Sequence, residues 1–110
     1  MTADAAANLY EDIHALLEEA PGAENGVFLA RLEHTLTDGY AHALTLEAER
    51  VRLEKRMGEL TDGLRHDPAD PPTDELATVA KRLSDADTEL TRLRRILARL
   101  RARARAIRAA

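Results

Sequence analysis

The sequence predicts an all-α protein in which a short N-terminal helix docks on one end of an antiparallel coiled-coil helical hairpin. Three observations carry that expectation. Apolar residues recur at alternating steps of three and four along most of the chain, the prolines gather at two breaks, and the apolar content is carried mainly by leucine and alanine. Helices are expected over about 3–20, 26–65 and 74–108, forming one helical domain over 1–110.

The first helix shows a single stripe of Leu9, Ile13, Leu16 and Ala20, widened by Leu17. Asp4, Glu11 and Asp12 lie towards its N-terminal half, where the helix dipole favours carboxylates. Glu18 and Glu19 stand at the opposite end and need an external cation. Pro21-Gly22 closes this helix.

In the second helix the seam reads Leu29, Leu32, Leu36, Gly39, Ala43, Leu46, Arg50, Leu53, Met57, Leu60 and Leu64, with Gly39 and Arg50 as its irregular members. The segment Asp67-Pro68-Ala69-Asp70-Pro71-Pro72 then stops it, because proline disfavours helix at its own position and at the one before. Thr73 is the expected N-cap of the third helix, with Asp74 and Glu75 in the first turn. Its seam, Leu76, Val79, Leu83, Ala86, Leu90, Leu93, Leu97, Leu100, Ala104 and Ile107, has no exception, and a period of 3.5 predicts left-handed supercoiling.

A short connection makes the two long helices antiparallel neighbours. Side-chain size then selects a register: pairing positions whose numbers sum to about 136 sets Gly39 against Leu97, Ala43 against Leu93, Ala86 against Arg50 and Ala104 against Leu32. Moving by a heptad would face Gly39 with Ala104 and leave a gap. The first helix, folding back, is expected to bring Leu17 near Phe28, Ile13 near Leu32 and Leu9 near Leu36.

Composition narrows the function classes. With 45% apolar and 33% charged residues the chain is not disordered, yet Tyr10, Phe28 and Tyr40 are its only aromatics, which predicts a long, thin core without a compact pocket. Cysteine is absent, which excludes disulfides, thiol catalysis and thiolate metal sites, and fits a reducing cytoplasm. The first seven residues lack the basic and apolar regions of a signal peptide, and no apolar run approaches the ~20 residues that span a bilayer. A cytoplasmic protein is expected.

Charge is strongly polarised. Residues 1–49 carry ten acidic groups and only Arg31, whereas residues 91–110 carry eight arginines and no acid, within a net charge of −4. The fold-back therefore brings opposite charges together, with Glu18, Glu19, Glu33 or Glu47 available to Arg94, Arg101 and Arg108.

Several features invite functional readings. The arginines of 92–108, namely Arg92, Arg94, Arg95, Arg99, Arg101, Arg103, Arg105 and Arg108, suit phosphate neutralisation, the sequence-independent part of nucleic-acid binding. No aromatic lies among them to stack bases and the whole chain is acidic, so internal pairing and a solvated face are preferred. A membrane-surface role is disfavoured as well, since the seam already uses the apolar residues of this segment. Arg50 in the seam is read as a long side chain passing Ala86 to solvent, or as a register device held by Asp87 or Glu89.

Glu11-x-x-His14 and the steps His34, Asp38, His42 have metal-bundle spacings, but Glu11 and His14 point away from the apolar stripe, and surface residues are the preferred reading. His66 in the connection is equally ordinary. No glycine-rich phosphate loop, nucleophile elbow or nucleophile-base pair is present, so neither an enzyme nor a cofactor is expected.

The remaining signal is a side stripe, Tyr40, Leu44 and Val51, off the seam of the second helix, with Ile96 beside the seam of the third. Apolar flanks on a thin hairpin point to a protein partner, and a second copy forming a homodimeric four-helix bundle is the simplest one. The expected function is thus a non-catalytic protein–protein interaction or assembly module, an adaptor or regulator, with contact residues Tyr40, Leu44, Val51 and Ile96 rimmed by Arg95, Arg99 and Arg105. Nucleic-acid binding and metal binding are the alternatives.

Overall fold

The structure is a computed structural model that describes residues 3–20 and 25–109. Among them it forms three helices and no strand: α1 Ala3–Glu18, α2 Asn25–His66 and α3 Thr73–Ala109. These bounds match the spans read from the sequence to within two residues. Pro21 and Gly22, read as the first break, lie outside the described residues.

The second break is built as its prolines dictate. The Asp67 amide donates to the Gly63 carbonyl at 2.9 Å, completing the last turn of α2, and the Ala69 amide turns back onto the Asp67 carboxylate at 3.3 Å. The first helical bond of α3 runs from the Leu76 amide to the Pro72 carbonyl at 2.9 Å, so Pro72 occupies the N-cap. Thr73 is therefore the first helical residue and not the cap expected from its side chain. Its hydroxyl donates to the Pro71 carbonyl at 3.4 Å, which removes it from the amides of the first turn.

The fold is an antiparallel hairpin of α2 and α3 with short α1 on one end. Its contacts divide into two compact units, Met1–Thr45 with Arg92–Ala110, and Leu46–Thr91. In the first unit three helices share a core. Leu9, Ile13 and Leu16 of α1 are buried there, as are Phe28, Leu32, Leu36 and Ala43 of α2 and Leu93, Ile96, Leu97, Leu100 and Ala104 of α3. Each fully buried Leu or Ile contributes about 1.5–3 kcal/mol relative to exposure.

Gly39 is a point of close approach in that unit. A Cβ built on it would overlap Leu97 Cδ2 and stand 3.3 Å from Leu97 Cγ and Cδ1. The pairing of Gly39 with Leu97 expected from residue size is thus the one observed.

The second unit has two helical stretches and a thinner core. Leu53, Leu60 and Val79 are buried, while Met57, Leu76 and Leu83 pack on them only partly covered. Leu53 with Leu83, Met57 with Val79 and Leu60 with Leu76 each obey the same numerical pairing.

Candidate functional site

The first unit's surface is decided by where α1 lies. Tyr10 meets His42 edge-on, with ring centroids 6.2 Å apart and planes at 82°. Asp12 and Leu16 of α1, with Arg31, His34 and Thr35 of α2, line an open cleft of about 220 Å³. Past the end of α1, the Glu19 carboxylate pairs with Arg31 at 3.1 Å and its carbonyl accepts a hydrogen bond from Arg103. The guanidiniums of Arg31 and Arg103 stand 5.9 and 5.4 Å from the Phe28 ring centroid. The cation that Glu19 requires is supplied in this way.

This placement overturns two expectations. Ile96, read as a partner-binding residue, is buried at 8% exposure. It precedes Arg103 by two helical turns and shares its face of α3, the face that meets the end of α1, so α1 takes the cover that an external partner was expected to give. His42, read as a surface residue, is likewise buried at 7%. It closes a heptad-spaced row of Phe28, Thr35 and His42, all buried, whose polar members hid the second stripe in the sequence.

The rest of the stripe read from α2 is exposed. In the first unit Tyr40 is 42% and Leu44 66% accessible, and the Tyr40 hydroxyl accepts a hydrogen bond from Arg101 at 3.5 Å. On this flank Arg108 also pairs with Glu33. Val27, which the sequence reading passed over, is 59% accessible near the start of α2.

The eight arginines of 92–108 sort into two sets. Arg101, Arg103 and Arg108 bond to Tyr40, Glu19 and Glu33, and Arg94 is also engaged. Arg92, Arg95, Arg99 and Arg105 are exposed and make no ion pair with any described residue. Of the three expected rim residues, Arg95 and Arg99 are one turn apart on a shared face. Arg105 falls about 120° round the helix from Arg99, at roughly 100° per residue.

No family model, curated protein or solved structure matches this chain. Its surfaces therefore speak through their chemistry alone.

In the second unit Val51 is 61% accessible. Arg50 reaches Asp87 at 3.3 Å and Glu54 at 3.6 Å with its side chain 35% exposed, so the seam cation leans to solvent on carboxylate partners. Replacing Arg50 by Leu is expected to change stability by no more than about 1 kcal/mol, the range of exposed ion pairs. Urea denaturation of the variant measures it, and a loss several times larger would make Arg50 a true register lock.

Nearer the connection, Arg56 Nε and Nη2 meet Glu75 Oε1 at 2.7 and 2.6 Å, and Nη1 meets Glu59 at 3.1 Å. The hydrogen bonds that its guanidinium donates to Glu75, and then to Glu59, hold it above the ordinary arginine range. A cleft of about 190 Å³ in this unit is lined by Leu46, Glu49, Arg82, Asp85, Ala86 and Glu89, too mixed in charge to favour one ligand.

The metal spacings gather no site. His34 lies 3.6 Å from Asp38 with both side chains exposed, while His42 is buried under α1. Glu11 and His14 are exposed on α1, and no three His, Cys, Asp or Glu side chains converge among the described residues. No helix among the described residues is long and apolar enough to cross a membrane.

Proposed function

We propose that this protein is a non-catalytic interaction module that self-associates as a homodimeric helical bundle, an assembly or adaptor role. The observation that carries the reading is the exposure of Leu44 at 66% beside Tyr40 on a flank that α1 leaves open. Tyr40 supplies a rigid aromatic face with its hydroxyl already satisfied by Arg101, and Leu44 an aliphatic one. Val51, similarly exposed, offers a further apolar contact on α2. Lone exposed apolar residues are ordinary, but two one turn apart on a flank of the first unit otherwise rich in charge suit a second helix.

A second copy supplies the same face by twofold symmetry, and the result is the four-helix arrangement that hides it. Light scattering at micromolar concentration tests this. The native chain is expected to run as a dimer, and Leu44→Glu with Val51→Glu to run as a monomer, because burying unpaired carboxylates weakens association at least about a hundredfold. A monomeric native chain, or a double variant that associates equally well, overturns the reading.

A further inference from the structure

We infer that these dimers associate further through a second, electrostatic contact, in which the arginine row Arg92, Arg95 and Arg99 of one copy docks on the acidic outer face of α1 in another. The contact builds on the dimer proposed above but uses different residues. Both halves of it are present in the first unit.

Arg92, Arg95 and Arg99 stand at steps of three and four, which places them along one face of α3. All three are exposed and none pairs with a described carboxylate, in contrast to Arg101 and Arg108, which are held by Tyr40 and Glu33. On α1, Asp4, Glu11 and Glu18 recur every seven residues, exposed, on the side opposite buried Leu9, Ile13 and Leu16. None of these carboxylates pairs with a described cation either. The unit thus holds a basic row and an acidic row of like spacing, neither answered among the described residues.

A second copy answers both at once. When two first units meet by twofold symmetry, each α1 lies along the other's α3, and the Glu11 and Glu18 step of seven matches the Arg92 and Arg99 step of seven. A nucleic-acid strand fits this face less well. Its phosphates would meet the arginines but also run beside the carboxylates of α1, and no aromatic residue of α3 is present to stack a base.

This contact lies on the α1 side of the unit, whereas Tyr40 and Leu44 lie on the flank where Arg101 and Arg108 bind α2. The two contacts do not compete. Together they let dimers add to dimers.

The test is sedimentation of the full chain at about 0.01 M salt, where the Debye length is about 30 Å, and at about 1 M, where it is about 3 Å. The native protein is expected to exceed dimer mass at low salt and to return to it at high salt. Arg95→Glu with Arg99→Glu, and separately Glu11→Arg with Glu18→Arg, are expected to remain dimers at both, while an equimolar mixture of the two variants regains the larger mass at low salt. Leu44→Glu with Val51→Glu separates the two proposals, since it is expected to be monomeric at high salt yet still to associate at low salt. A native mass independent of salt overturns the inference, as does a mixture that stays at dimer mass. Circular dichroism confirms that each variant keeps its helices, so the mass reads docking and not unfolding.

Discussion

Replacing Ile13 by aspartate is expected to detach α1 and unfold it. Ile13 is 0% exposed at the centre of the α1 stripe, between Leu9 at 4% and Leu16 at 2%. The substitution removes about 1.5–3 kcal/mol of side-chain burial and adds a carboxylate that either stays buried at further cost or pulls the helix away. Once released, α1 has little to hold it. Its 16 residues are near the ~12–15 below which isolated helices are marginal, and Glu18 stands at its C-terminal end against the dipole.

Far-ultraviolet circular dichroism should lose the signal of up to those 16 helical residues, and proteases should cut within them. Ala15→Asp, on the exposed side of the same helix, is the control. Equal behaviour of the two variants would show that α1 is not held by its stripe.

The second large effect is a change of sign between glycines. A Cβ added at Gly58 or Gly63 would meet nothing within 4 Å, so alanine there is expected to stabilise by about 0.5–1 kcal/mol through helix propensity. Gly39→Ala gains the same propensity term but drives its methyl into Leu97, which is only 2% exposed and has no solvent to retreat into. Overpacking of this kind costs about 1–3 kcal/mol, so a net loss is expected, growing further for Gly39→Leu. Thermal melts resolve it, because 1 kcal/mol moves the midpoint of a domain this size by about 4–8 °C. A Gly39→Ala midpoint as high as that of Gly58→Ala would mean that α2 and α3 part freely there.

The hairpin was legible because its signals are local and repeated. Seam residues recur many times over, Pro71 and Pro72 cannot be accommodated inside a helix, and one small residue, Gly39, was enough to select its partner Leu97. The lateral placement of α1 was not legible. Its stripe says which face is buried but not which flank of the hairpin receives it, and it reaches further along α2 than the expected meeting of Leu9 with Leu36, as the contact of Tyr10 with His42 shows.

Two site residues turned on that choice. Ile96 left the surface and His42 entered the interior, while Tyr40 and Leu44, on the other flank, stayed exposed. Thr73 failed for a smaller reason: a threonine before two acidic residues has the composition of a cap, but Pro72 supplied the first carbonyl and took the position. The arginines are partly answered from within, as their opposite-charge neighbours suggested, although the division into engaged and unengaged rows required the positions of Glu19, Glu33 and Tyr40.

The fit of Leu97 over Gly39 also limits how α2 and α3 can move against each other in the first unit. Helical pairs that relay a stimulus by sliding need successive notches of similar depth, so that one turn of travel exchanges one resting place for another. Here one deep notch accepts the leucine, and a slide of one heptad would set Gly39 against Ala104 and leave a gap. Sliding of α2 past α3 by a heptad is thereby disfavoured in the first unit.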